Sequence, residues 1–134
     1  MGRFYNGDIE GKFWFAIQSS DDADHFGGYC YENEDDEILE YSFDTDDLPS
    51  INEGVDRCLE VLGDKKEILD QYFAPGGDGE VSYSPDHLAQ KLGFEKERDP
   101  ECMKIMENYA RLILGVKIKE CVEKTGKCVF EAEI

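Results

Sequence analysis

The stretch Ile38–Gly63 reads ILEYSFDTDDLPSINEGVDRCLEVLG, and its hydrophobic period changes half-way along. From Ile38 to Asp44 apolar and polar residues alternate. Leu39, Tyr41 and Phe43 therefore point one way and Glu40, Ser42 and Asp44 the other, the pattern of a strand with one face on a core and one in water. From Leu48 the spacing lengthens, and Ile51, Val55, Cys58, Leu59 and Leu62 form one stripe of an amphipathic helix that stops at Gly63. Ser50 and Glu53 have the spacing of a capping box at its start. A half-buried strand running into a one-faced helix signals a sheet covered by helices on one side.

Upstream, Arg3–Asn6 and Lys12–Gln18 read as the two strands of a hairpin joined by the turn residues of NGDIEG. Within KFWFAIQ, alternation puts Phe13, Phe15 and Ile17 on the core face and Lys12, Trp14, Ala16 and Gln18 on the outer one. Ser19 and Ser20, followed by Asp21, Asp22 and Asp24, have the chemistry of a helix N-terminus, so a short helix is expected over Asp21–Phe26, closed by Gly27 and Gly28. YCYE at residues 29–32 is a further strand, joined to Ile38–Asp44 by the acidic turn NEDDE.

Downstream, Asp64 and Glu67 cap a helix carrying Ile68, Leu69, Tyr72 and Phe73 and halted by Pro75; the loop PGGDGE follows. Ser84-Pro85 opens a short helix with Leu88 and Leu92 inward and Gly93 at its end. Asp99-Pro100 opens the longest helix, whose YARLILGVKI segment is apolar on nearly every side except at Arg111 and Lys117, as expected between two layers. Gly115 within it either permits close packing or marks a break. After Gly126 the ending KCVFEAEI alternates as a strand with Phe130, Ala132 and Ile134 inward, paired with an N-terminal strand. The elements predict one α+β domain over residues 1–134: an antiparallel sheet of about 4–5 strands, N-terminal strands plus the C-terminal one, with about 4 helices packed on one face.

Hydrophobic residues make up 40% of the 134, enough for a core and too many for a disordered chain. No run is long and apolar enough to span a membrane, and the first residues lack a signal-peptide pattern, so a soluble, cytoplasmic protein is expected. The five cysteines have neither zinc-site spacing nor an even number, and read as reduced, mostly buried thiols.

The net charge of −18 is distributed unevenly. Residues 1–80 hold 22 acids against 5 bases, whereas residues 81–134 hold 10 against 9. Between Asp21 and Glu60 stand 15 acids and one base, Arg57. A field of that sign repels nucleic acid and anionic membrane and attracts basic protein surfaces, so the expected partner is a basic protein, with no direct nucleic acid and no membrane. The residues expected to meet it are Glu32, Glu34, Asp35, Asp36, Glu37, Glu40, Asp44, Asp46 and Asp47. Rows of carboxylates on strand faces also imitate the charge of a DNA duplex, which makes DNA mimicry one form of such docking.

Motifs for enzyme chemistry are sparse. His25 and His87 adjoin no nucleophile signature, and the Gly76-Gly77-Asp78-Gly79 run lacks the Lys-Ser/Thr of a phosphate loop. DDADHFG fails as a calcium loop, since Phe26 stands at the fifth position from Asp22 and Asn33 at the twelfth. No metal and no cofactor are expected, and a non-enzymatic role is favoured. The competing reading is a small-ligand site or cryptic enzyme built on Glu10, Lys12, Trp14 and Gln18, with the single Trp as its wall. Asp8 and Glu10 form a nearby carboxylate pair, for which a solvated hairpin end is the simpler explanation. Ser84–Gly115 has a helix-turn-helix rhythm, with Lys91, Lys96, Arg98 and Lys104 available to a phosphate backbone, but the connector EKERDP is long for that motif.

GDIEGKFWFAIQSSDDAD, together with YARLILG and the ending CVFEAEI, resembles a group of small viral and marine-metagenomic proteins of unknown function. The resemblance covers the first and last quarters of the chain. It implies a viral origin and, through that, a role in modulating a host protein.

Overall fold

The computed structural model describes residues 4–13, 18–33, 35, 37–73, 89–95 and 99–133. Strands β1 (Phe4–Gly7), β2 (Gly11–Lys12), β3 (Tyr29–Asn33), β4 (Ile38–Asp44) and β5 (Lys127–Glu133) form one antiparallel sheet in the order β2-β1-β5-β4-β3. The C-terminal strand is its centre, with Tyr5 opposite Ala132 on one side and Tyr41 opposite Phe130 on the other. Two 3-10 helices, η1 (Asp22–Phe26) and η2 (Thr45–Asp47), and the α-helices α1 (Leu48–Leu62), α2 (Lys65–Phe73) and α3 (Pro100–Thr125) complete the main elements, and residues 89–91 are also helical. The class is α+β. No described helix is long and apolar enough to cross a membrane.

The core lies between one face of the sheet and the helices. Tyr5, Tyr41, Phe43, Cys128, Phe130 and Ala132 line the inner face and are buried, whereas Glu40, Ser42, Asp44 and Glu131, at the alternate positions, are exposed. The rings interleave, Tyr41 and Phe130 at 5.4 Å between centroids and Phe43 and Phe130 at 6.2 Å with planes 5° apart. From above, α1 supplies Ile51, Val55, Cys58 and Leu62 and α3 supplies residues from nearly all round its axis. That matches the all-sided apolar pattern of YARLILGVKI, because α3 contacts β4 and β5 as well as α1 and α2.

Gly115 serves close packing. The fully buried Phe26 ring sits between Gly54 of α1 and Gly115 of α3; a Cβ on Gly54 would stand 2.5 Å from Phe26 Cδ1, and one on Gly115 would overlap the ring. The ends of α3 follow the expected chemistry. Asp99 Oδ1 accepts from Glu101 N at 2.9 Å, and Gly126 takes the left-handed conformation at φ 86° with its N–H on Val122 O.

Several local readings are corrected. The second hairpin strand ends at Lys12 among the described residues; Phe13 is buried as expected, and residues 14–17, including Trp14, lie outside the described residues. Ser19 and Ser20 do not cap η1: Ser19 Oγ donates to Asp21 Oδ1 and Ser20 Oγ to the Glu133 carbonyl, tying this segment to the end of β5. The Ser50–Glu53 capping box is displaced, because the chain enters its helices earlier. Asp44 accepts from Asp46 N and Asp47 accepts from Asp44 N, both at 2.9 Å, so the reciprocal cap sits at η2 and α1 begins at Leu48. Leu59 is 37% exposed rather than core, since it lies at the margin of the α1 stripe. The helix expected from Ser84 falls outside the described residues up to Leu88; beyond it Leu92 is buried and Lys65 Nζ donates to its carbonyl at 2.8 Å.

Candidate functional site

The outer face of the sheet carries no covering element among the described residues. Its register sets Asn6, Glu131, Glu40 and Tyr31 in one row across β1, β5, β4 and β3, because Asn6 stands opposite Glu131, Glu131 opposite Glu40, and Glu40 opposite Tyr31. Directly opposed side chains on neighbouring strands have Cβ atoms about 4.5–5.5 Å apart, so the two carboxylates are first neighbours. The adjacent rows hold Glu133 with Ile38, and Val129 with Ser42 and Tyr29. Tyr29 and Tyr31 are 67% and 54% exposed, and Phe4, farther along the same face, is 48% exposed. Among the described residues neither Glu40 nor Glu131 makes an ion pair.

Among the described residues, basic groups stand only at the margins of this face. Lys12 holds its Nζ 5.9 Å from the Phe4 ring centroid, and Lys127 faces Asp44 at the start of β5. Arg57, the lone base among the acids of residues 21–60, donates to the His25 carbonyl at 3.0 Å and leaves the sheet unneutralised.

The opposite side of β3 borders a cleft of about 490 Å³ lined by Asp21, Asp24, Cys30, Glu32 and Tyr41. Tyr41 Oη donates to Asp24 Oδ1 at 2.9 Å; burial, reinforced by that bond, pushes the phenol far above its ordinary range. Burial also raises the Cys30 thiol, with Asp24, Glu32 and Asp21 adding to the rise and a bond with Tyr41 opposing it. Cys30 is thus a protonated thiol at neutral pH, the reverse of an activated nucleophile. Among the described residues no cluster of His, Cys, Asp and Glu could hold a metal ion.

The expected partner-binding acids divide. Glu40 stands on the open face and Glu32 in the cleft, while Asp35 and Glu37 are exposed in the β3–β4 turn, where Glu37 adopts φ 54°. Asp44 and Asp47 are committed to the η2 cap, with Asp46 exposed beside them. Glu34 and Asp36 lie outside the described residues. Glu131 and Glu133 also belong to the face, outside the acidic belt of residues 21–60, in line with the outward alternation of KCVFEAEI.

The residues proposed around Trp14 do not share one surface. Glu10 is exposed in the hairpin turn, where its carbonyl accepts from Lys117 Nζ at 3.0 Å. Lys12 points to the outer face, whereas Gln18 is 4% exposed and donates to Asp22 Oδ2 at 2.9 Å and to Ala110 O at 3.3 Å. Alternation fails at Gln18 because the described backbone there is no longer a strand. Asp8 is likewise structural, its Oδ2 accepting from Val129 N at 2.9 Å.

No protein family, curated protein or solved structure matches this chain.

Proposed function

We propose that this protein is a non-enzymatic docking domain whose uncovered, carboxylate-bearing sheet face binds a basic protein. The observation that carries the reading is the directly opposed Glu40–Glu131 pair on an exposed face, flanked by Tyr31 and without an internal counter-ion among the described residues. Like charges directly opposed across strands destabilise a sheet. A basic surface relieves that repulsion and gains apolar contact with Tyr29, Tyr31 and Phe4. The cleft acids Asp21, Asp24 and Glu32 extend a field of the same sign around the β3 edge. If the basic surface is one that binds DNA, the domain acts as a DNA mimic, and the viral resemblance makes a host protein the proposed partner.

Titration with poly-lysine at low and high ionic strength tests the reading. Association is expected to fall steeply with salt, with hydrogen-exchange protection gained on β3, β4 and β5. No association at low ionic strength, or protection gained on α1 instead of the sheet, overturns it.

A further inference from the structure

We propose that Cys121 and Cys128 form a redox-active dithiol: a hydroperoxide oxidises the Cys121 sulfur, and Cys128 closes a disulfide that staples the end of α3 to β5. The inference goes beyond the docking reading and does not depend on it.

The turn that ends α3 brings the pair together. Gly126, at φ 86°, lets the chain leave the helix, and Thr125 Oγ1 shares its proton between the carbonyls of Cys121 at 2.9 Å and Lys127 at 2.8 Å. Cys121 Sγ donates to the Lys127 carbonyl at 3.4 Å, so it stands against the peptide unit that leads into Cys128. The two thiols also hydrogen-bond each other. Hydrogen-bonded thiols face each other sulfur to sulfur, the approach that a disulfide needs. Among the described residues no second thiol acts on Cys30, Cys58 or Cys102.

The surroundings of the two sulfurs differ and assign their roles. Cys121 lines a cleft of about 340 Å³ with Asp8, Lys117, Glu120 and Lys124, room enough for a small oxidant. Cys128 is fully buried, opposite Phe43 on β4. Burial, reinforced by the bond with Cys121, raises its thiol far above the ordinary range, so it keeps its proton and is sheltered from the oxidant. In the first step the Cys121 sulfur attacks the terminal oxygen of the hydroperoxide. The O–O bond breaks, the other oxygen leaves with the thiol proton as water or an alcohol, and Cys121 becomes a sulfenic acid. In the second step the Cys128 sulfur attacks the Cys121 sulfur, the S–O bond breaks, and the hydroxyl leaves as water with the Cys128 proton. The hydroperoxide gains the two electrons that the thiols lose. The resulting bond ties the last turns of α3 to the central strand of the sheet.

Peptide mapping of the fully reduced protein after treatment with hydrogen peroxide tests the pair, with free thiols blocked by iodoacetamide in denaturant before digestion. Trypsin cuts after Lys124 and Lys127 and so separates the two cysteines. The expected product is the Cys121 peptide joined to the Cys128 peptide, released by dithiothreitol. Cys30→Ser should give the same product. Cys121→Ser should leave Cys128 reduced, and Cys128→Ala should hold Cys121 as a sulfenic acid that dimedone traps. Recovery of the two peptides unlinked from the peroxide-treated unaltered protein, whether still reduced or carried on to the sulfinic acid, overturns the proposal. That outcome is read without any variant, so it stands even where Cys128→Ala fails to fold.

Discussion

Arg111 Nε donates to Asp22 Oδ1 at 2.8 Å, and Asp22 is only 2% exposed. The acid read from the sequence as part of an N-terminal helix turn is thus the anchor that pins η1 to α3. Gln18 Nε2 fills its other oxygen, and Arg111 Nη2 reaches on to Glu107 at 2.6 Å. Burial pulls the guanidinium pKa down, but the two carboxylates outweigh it and hold Arg111 above its ordinary value. Removing one member strands a buried charge, so Arg111→Met is expected to cost about 3–5 kcal/mol in urea unfolding. Asp22→Leu combined with Arg111→Met should cost clearly less than Arg111→Met alone, since no uncompensated charge remains.

The packing of Phe26 between two glycines predicts the behaviour of Gly115→Ala. Alanine favours a helix interior by about 1 kcal/mol, but overpacking costs about 1–3 kcal/mol. Because the added Cβ meets a ring enclosed by α1 and α3, overpacking wins and Tm falls. Phe26→Leu should recover part of the loss in the Gly115→Ala background while destabilising the unaltered protein.

Asp70 couples α2 to α3 in a pH-dependent way. Burial raises its pKa, but Lys66 Nζ at 2.6 Å and the Tyr109 hydroxyl at 2.8 Å outweigh burial and hold the carboxyl below its ordinary value of 3.8. A folded value below the unfolded one means that the stabilisation is complete above the ordinary carboxylate range and is lost as pH falls through the depressed value. The stability difference between the protein and Asp70→Asn is therefore expected to be constant from neutral pH to about pH 5 and to shrink below about pH 4, measured by urea titration across that range.

The thiols should react in a definite order. Cys30 is exposed, whereas Cys58, Cys102 and Cys128 are buried, and burial pushes the Cys58 thiol up to about 11. Iodoacetamide should label Cys30 first and reach the buried three only on unfolding. The Cys30 rate should keep rising beyond pH 9, because its thiol titrates above the ordinary value of 9.0. Asp24→Asn, which removes one of the raising charges, should accelerate labelling at pH 8.

Stability and docking are expected to oppose each other at the sheet face. Glu40→Lys turns a like-charge cross-strand pair into an opposite-charge pair, worth about 0.2–1 kcal/mol of added stability. The same change should weaken poly-lysine binding, so a rise in Tm with reduced poly-lysine affinity at low ionic strength is the expected signature.

The alternation of Ile38–Asp44, the stripe of Ile51–Leu62 and the Asp99-Pro100 and Gly126 punctuation were all legible because each depends on neighbours within a few residues. The capping box was not, since two cap spacings follow one another, Asp44 with Asp47 and Ser50 with Glu53, and the earlier one, at the end of β4, is the one that forms. The candidate site was half legible: Glu40 was named, but its opposition to Glu131 depends on register between strands 91 residues apart in the chain.

Which side chains face the core, and where most of the elements begin and end, follows from local pattern, because periodicity and local hydrogen bonding act over a turn or two. The burial of Asp22 between Gln18 and Arg111, the seat of Phe26 between Gly54 and Gly115, and the shared row of Glu40, Glu131 and Tyr31 come from the assembled fold. Each of these is set by strand order and helix docking, where burial and register are properties of distant segments brought together.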